Sequence, residues 1–546
     1  MNAAGSLIAI DWVIIAVYFV AVYAVAVWST WHDHTRDSST NYFLAGRHAG
    51  WFVIGASLFA SNIGSEHLVG LAGTGAASGV AVGQFEILAS FLLLLLGWVF
   101  VPFYITSGVF TMPEFLERRY SPATRWYLAI VSIVGYVLTK ISVSIYAGGI
   151  VFESLMGINF WTGALVVVIA TGIYTIFGGL RAVLYTDMFQ MFVLVAGGAA
   201  VTVIGLEKIG GWDALYQTAG SDFFSLWKPM TDPNFPWTGI VFGAPIIGVW
   251  YWCTDQFIVQ RVLSAPNVEQ ARRGAIFAGF LKVIPLFIFV IPGVIAYALT
   301  KTGQLTLAKP DQALPTLVGA LLPAGVRGLV VGGLLAALMS SLSSVFNSCS
   351  TLVTWDVYKK LHPTASEKQL VWAGQIATVV MVACGLAWIP FMKFISGQLY
   401  QYLQSVQAYI APPIAAVFLL GIFFKRVNAA GALTTMIAGF VLGMGRLVAE
   451  LNKASLGDGL LFRFADMNFL HFSIGLFVVC VAILVLVSLA TRPHPDSQLR
   501  GLTFQTAEDT IAIEGIELTT KGRKINIVLT FILLAIVASV LVYFRG

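Results

Sequence analysis

The stretch from Gly55 to Glu86, GASLFASNIGSEHLVGLAGTGAASGVAVGQFE, is apolar enough to enter a bilayer, yet Ser61, Asn62, Gly64, Ser65, Glu66 and His67 interrupt it. A helix that breaks inside hydrocarbon frees carbonyls that must face protein, water or an ion, because lipid cannot hydrogen-bond them. The break is therefore a candidate binding site. Glu86, an isolated carboxylate in the next apolar stretch, adds to it, since an ionisable group at membrane depth is costly and usually functional. A second source of oxygen ligands is GLLAALMSSLSSVFNSCST, with Ser340, Ser341, Ser343, Ser344, Asn347 and Ser348. Ser340 and Ser344 are four residues apart and share a helix face. Carbonyls from a broken helix and hydroxyls from a facing one suit a hard monovalent cation, with sodium the natural candidate. Small hydroxylated residues also let membrane helices approach closely with no ion at all.

The elements that must carry these groups follow from composition. The chain has 546 residues, 58% hydrophobic and 10% charged, and a mean hydropathy of +0.85. Those values exclude an ordinary soluble domain and indicate an all-α polytopic membrane protein. The net charge of +5 is not a nucleic-acid signature, because the positive residues cluster in the loops of one membrane face. Cys253, Cys349, Cys384 and Cys480 all fall in apolar stretches, so no disulfide framework is expected. The first apolar stretch lacks a basic leader and is as long as a full span, so it is expected to remain as a helix rather than act as a cleaved signal.

About 20 apolar residues cross the hydrocarbon. On that measure about fourteen spans are expected, near 7–29, 51–73, 80–104, 126–156, 161–177, 182–206, 239–260, 274–299, 328–358, 370–392, 399–424, 430–451, 470–490 and 525–544. Lys and Arg are retained in short cytoplasmic loops. Arg118, Arg119, Arg125, Arg181, Arg272, Arg273, Lys359, Lys360, Lys425, Arg426, Lys521, Arg523 and Lys524 then share one face. This predicts both termini on the extracytoplasmic side of a plasma, or bacterial inner, membrane. The expected division is a peripheral helix at 7–29, a core at 51–424, peripheral helices within 430–490, a cytoplasmic linker at 491–524 and a last helix at 525–544.

A second interruption lies five spans after the first. Residues 239–261 read GIVFGAPIIGVWYWCTDQFIVQR, with Gly243 and Pro245 early and Cys253, Thr254, Asp255 and Gln256 late. Broken helices at corresponding places in two five-span halves point to a transporter with an inverted repeat that binds its solute near the midplane.

The residues resemble the sodium/glucose cotransporters of the solute:sodium symporter family. The resemblance is carried by residues 55–79, TMPEFLERRY (111–120), YTDMFQ (185–190), WYWCTDQFIVQR (250–261), SSLSSVFNSCST (340–351), QYLQS (401–405) and PPIAAVFLLGIFFKRVN (412–428). It implies a LeuT-type fold with a five-plus-five core, two broken helices, and sodium moving inward with a hexose such as glucose or galactose. No separate cofactor, nucleic acid or obligatory protein partner is implied.

The resemblance places the sugar at His67, Glu86, Tyr251, Lys282 and Gln404, with Trp252 close by. Hydroxyls that donate and accept need such carboxylate, amide, ammonium and imidazole partners, and an aromatic face suits the sugar's C–H side. Glu86 with Lys282 also reads as a buried ion pair without a ligand, His67 as a cap on the broken helix, and Tyr251 as an ordinary core aromatic. Ala89 and Gly248 stand where some sugar-transporting relatives carry a hydroxyl or amide. The resemblance implies a first sodium at the carbonyls of Ala60, Ile63 and Ala337 and the hydroxyls of Ser340 and Ser341. It implies a second sodium near Asp187, Ser343 and Ser344, although Asp187 also reads as a helix-end charge beside Arg181. Leu71, Phe85 and Tyr400 match positions that close over the sugar from outside.

Alternative readings differ in substrate or in class. The solute could be myo-inositol or another polyol, the same fold could serve a sugar sensor or a sodium channel, and Glu86 with Asp187 could carry protons. An enzyme is disfavoured because no metal spacing such as HExxH and no nucleophile motif occurs in an aqueous segment.

Overall fold

The computed structural model of the chain describes residues 7–31, 38–392, 399–504, 506 and 520–545. Among the described residues the architecture is helical, with no β-strand beyond one isolated bridge between Lys228 and Pro236. Eleven stretches among the described residues are long and apolar enough to cross a membrane. They account for twelve of the expected windows, because Phe160–Ile209 holds two of them. The other two windows, 51–73 and 239–260, are assembled from short helices that meet at a break.

The elements that matter for the site are numbered in chain order. They are α1 (Ala9–Trp31), α2 (Trp51–Asn62), α3 (Ser65–Ser78), α4 (Gly83–Leu95), α5 (Met112–Arg119) and α6 (Phe160–Ile209). They continue with α7 (Gln256–Leu263), α8 (Val268–Leu281), α9 (Val326–Leu352), α10 (Leu399–Phe423), α11 (Ala429–Leu451), α12 (Phe469–Ala490) and α13 (Thr520–Tyr543). The first break lies at Ile63 and Gly64, between α2 and α3, where ψ turns to 89° and 174°. The second lies at Asp255, extended at φ −79°, ψ 128°, which caps α7 by accepting from the Phe257 amide. The two breaks open the two five-span halves of a LeuT-type inverted-repeat core.

The centre of the molecule is α9, whose residues from Val330 to Leu352 are all buried. It packs along α6 and touches α2 and α3. Such burial explains why this helix carries small and hydroxylated residues, which let neighbouring backbones come close. The outer helix α1 is bolted to it by Asp11, whose carboxylate accepts from the Gly325 and Gly328 amides at 2.7 and 3.0 Å. A carboxylate at a helix start meets unpaired amides and the positive end of the helix dipole.

The residues expected as a linker are docked as far as Phe504. Asn428 Nδ2 donates to Thr491 Oγ1 at 2.7 Å and to the Arg492 carbonyl at 2.9 Å, and Leu499 and Leu502 are buried. Residue 505 and residues 507–519 of that segment lie outside the described residues.

The reversal within α6 depends on Gly179, at φ 54°, ψ −154°, a conformation open essentially to glycine. A Cβ there would stand 2.5 Å from the Tyr42 carbonyl oxygen. Gly179→Ala is expected to destabilise the fold by roughly 1–3 kcal/mol or more, read as a lower thermal unfolding midpoint in detergent; an unchanged midpoint would contradict the geometry.

Candidate functional site

The first break changes the hydrogen bonding of its own backbone. In a continuous helix the Ala60 carbonyl would receive the Gly64 amide and the Ile63 carbonyl the His67 amide. Here the Gly64 amide bonds to the Asn62 carbonyl and the His67 amide to the Gly64 carbonyl. The regular partners of the Ala60 and Ile63 oxygens are thus spent elsewhere, in a region where both residues are buried.

Facing this break is a connected set of hydroxyls around one carboxylate. Asp187, on α6, is fully buried. Its Oδ2 accepts from Ser57 Oγ at 2.6 Å and Ser61 Oγ at 2.9 Å, and its Oδ1 from Ser340 Oγ at 2.7 Å. Ser344 donates to Ser61 Oγ at 2.9 Å and Ser341 to the Ser61 carbonyl at 3.2 Å. Ser343 turns back onto the Ser340 carbonyl at 3.0 Å. Arg261, also fully buried, donates through Nε to Ser61 Oγ at 3.0 Å, and its Nη2 stands 4.0 Å from Asp187. Asp187 is therefore held in an interior network and not by Arg181 at a helix end. The two groups of serines expected to serve separate ions belong to one network. Sequence reasoning did not assign Ser57, Ser61 or Arg261 to it, although Ser57 and Ser61 are four apart on α2 and Arg261 is an ionisable residue within an apolar run.

Beside this network lies a cavity lined by all six residues expected at a sugar, namely His67, Glu86, Tyr251, Trp252, Lys282 and Gln404. Glu86 and Lys282 form an ion pair, both almost fully buried. Lys282 Nζ also donates to Asn62 Oδ1 at 2.6 Å, and Asn62 Nδ2 donates to the Tyr251 hydroxyl at 2.9 Å. Asn62, the last residue of α2, thus joins the charged wall to the aromatic one. Lys282 lies 5.5 Å from the Trp252 ring, within cation–π reach.

Lys140, Ser144 and Gln407 also line the cavity and were not anticipated. Lys140 pairs with Asp255 at 2.6 Å and lies 3.8 Å from the Phe257 ring centroid. Asp255 also accepts from the Tyr136 hydroxyl. The cavity is thereby tied to the second break. Asn62 and Lys140 carried a signal, being polar residues in apolar stretches, but their partners come from distant segments. Of the expected gate residues, Phe85 lines the cavity and stands 6.1 Å from Phe235, whereas Leu71 is fully buried in α3 and is not among the lining residues. The side chain of Tyr400 lies outside the described residues.

Of the two departures from the sugar-transporting pattern, the one at Gly248 has a packing cause. A Cβ on Gly248 would stand 2.9 Å from Leu92 Cγ, so Leu92 fills the space that a larger residue would use. Ala89 lines the same wall.

Residues 42–439 match the model of the Sodium:solute symporter family. The chain belongs to the sodium:solute symporter family. It is 40% identical over 541 residues to sodium/glucose cotransporter 1 of Oryctolagus cuniculus, covering 91% of this chain and 81% of that protein. It is 39% identical over 553 residues to the sodium/myo-inositol cotransporter of Homo sapiens, covering 92% and 76%. Among solved structures it resembles a Na+-coupled sialic acid symporter in a substrate-bound outward-open state, with TM-score 0.77, 22% identity, and 89% and 98% of the two chains covered. Membership makes the chain a multi-pass membrane transporter that couples solute movement to sodium, and not an enzyme.

Because Glu86 and Lys282 are buried together, removing one charge strands the other. Glu86→Gln is expected to cost about 3–5 kcal/mol of stability, and Glu86→Gln with Lys282→Met to recover most of it. Thermal unfolding of the three proteins checks this; equal losses in the single and double variants would show that the pair is not coupled.

Proposed function

We propose that the chain couples inward sodium movement to uptake of a hexose, glucose or galactose, by alternating access. The observation that carries this reading is that Ser61 and Ser341 belong both to the Asp187 network and to the cavity wall. An ion held at the network and a solute held in the cavity therefore touch the same two residues. Filling one orders the wall of the other, which is the reciprocity that coupled binding requires.

In this reading the sugar sits against His67, Glu86, Tyr251, Trp252, Lys282 and Gln404. Its hydroxyls meet a carboxylate, an ammonium and two amides, Asn62 being the second, while Tyr251 and Trp252 offer apolar faces. Leu71, Phe85 and Tyr400 close the outer path. One sodium takes the carbonyls of Ala60, Ile63 and Ala337 with Ser340 and Ser341. The diverted amides at the break support that assignment, because they leave oxygens turned away from the regular helix pattern. A second sodium takes Asp187 with Ser343 and Ser344. Each charge carried inward contributes about 2.3 kcal/mol per 100 mV, so a second ion steepens accumulation. The protein acts in the plasma membrane with both termini outside, an orientation supported by the excess of Lys and Arg in the loops of the opposite face.

The myo-inositol reading keeps the same machinery with a different polyol. The relative named as a sodium/myo-inositol cotransporter favours retaining it.

Purified protein in liposomes is expected to concentrate radiolabelled glucose or galactose under an inward sodium gradient and not under an equal potassium gradient. Accumulation of inositol alone would replace the hexose, and currents without accumulation would indicate a channel or sensor. Gln404→Ala is expected to raise the half-saturating sugar concentration roughly tenfold, the loss of about 1.4 kcal/mol, with the sodium curve unmoved. Ser341→Ala is expected to raise the half-saturating sodium concentration by a similar factor; an unaltered sodium curve would remove Ser341 from the first ion.

A further inference from the structure

We propose that the basic end of α13, with the adjoining turn of α8, forms a site for the phosphate of an acidic phospholipid. The two helices pack against each other, and Arg272 lies in the half of α8 away from Lys282, the cavity residue that follows its last turn. Arg272, 4% exposed, donates through Nε to the Gly97 carbonyl at 2.9 Å and lies 4.2 Å from the Trp98 ring. Its Nη1 has no hydrogen-bond partner among the described residues. Arg523, exposed at the start of α13, adds a second guanidinium on the helix that packs against α8. The neighbouring carboxylate, Glu269, is held by Arg273 Nη2 at 2.7 Å.

Arg273 Nε reaches across to α13 and donates to Asn526 Oδ1 at 3.1 Å. Asn526 is fully buried, and its Nδ2 also has no hydrogen-bond partner among the described residues. Two packed helices thus each carry a buried donor without a hydrogen-bond partner among the described residues, beside the guanidinium groups of Arg272, Arg273 and Arg523, while the Glu269 carboxylate is engaged by Arg273 and lies against Gly522. Like charges in a low-dielectric setting are costly unless an anion offsets them. A phosphodiester matches, since a guanidinium meets two phosphate oxygens with parallel N–H donors, and basic clusters at this depth recognise acidic headgroups.

A lipid is favoured over a soluble phosphate by what continues from the cluster. On α13, Val528, Phe531 and Ile532 are 56%, 68% and 46% exposed, an apolar face for acyl chains that free phosphate would not use. Trp98, bonded to Thr530 Oγ1 at 3.0 Å, joins the two regions.

The test is a thermal unfolding midpoint of the full chain in detergent, titrated with phosphatidylglycerol, phosphatidylcholine or inorganic phosphate. Phosphatidylglycerol is expected to raise the midpoint saturably, with phosphatidylcholine inert and phosphate effective only at far higher concentration. Arg523→Gln, at an exposed side chain that folding does not need, is expected to raise the half-saturating phosphatidylglycerol concentration roughly fivefold. Arg272→Gln is expected to raise it further, and Arg523→Gln decides alone where that variant does not fold. An equal response to phosphatidylcholine, an equal response to inorganic phosphate, or an unmoved curve in Arg523→Gln would overturn the proposal. Sugar transport is not the readout, so the result stands apart from the assigned solute.

Discussion

The constraint from which the rest of the structure follows is that hydrocarbon offers no hydrogen bonds to a broken backbone. Around the break at Ile63 and Gly64 the Gly64 and His67 amides, which would complete the helix, bond locally instead, leaving the Ala60 and Ile63 carbonyls outside the regular ladder. Such a break survives only where protein surrounds it. The chain supplies that surround with α9, buried along its length, and with α6, which brings Asp187 to the hydroxyls of Ser57, Ser61 and Ser340. Burial of the carboxylate is offset by three hydroxyl donors and by Arg261 at 4.0 Å.

The same break organises the cavity. Ser61 and Asn62 are consecutive residues at the end of α2, one facing the Asp187 network and the other bridging Lys282 to Tyr251. The Asp187 network and the cavity wall are therefore one residue apart on a segment that is not locked into a continuous helix. A short, locally bonded segment can change its dihedrals without breaking a long ladder, as alternating access demands. Asp255 makes a parallel arrangement at the second break, where Lys140 and Tyr136 converge on its carboxylate. In the proposed function, coupling rests on side chains shared between the Asp187 network and the cavity, with no need for a signal passed over a distance.

Peripheral elements contribute more than lipid contact. Asp11 on α1 caps the outer end of α9, and residues up to Phe504 strap the helix ends near Asn428. Both place polar anchors against backbone that has unpaired groups at helix termini.

Composition and hydropathy were sufficient to establish the helical membrane class, and the placement of Gly64 and Asp255 within apolar runs located both breaks. Long segments of family resemblance pointed to the family and to the six residues that line the cavity. These features are local, or are carried by residue type, so one dimension records them. Pairings between segments far apart in the chain were not legible. Nothing in the spacing of Asn62, Tyr251 and Lys282 says that one amide joins the other two, nor that Arg261 stands beside Asp187, nor that Leu92 occupies the room beside Gly248. The span count shows the same limit: Gly179 lets one long helical stretch reverse, and the two broken windows rely on neighbours for their completion. Hydropathy decides which residues leave water, whereas the partner each buried polar group finds is decided by packing, which exists only in three dimensions.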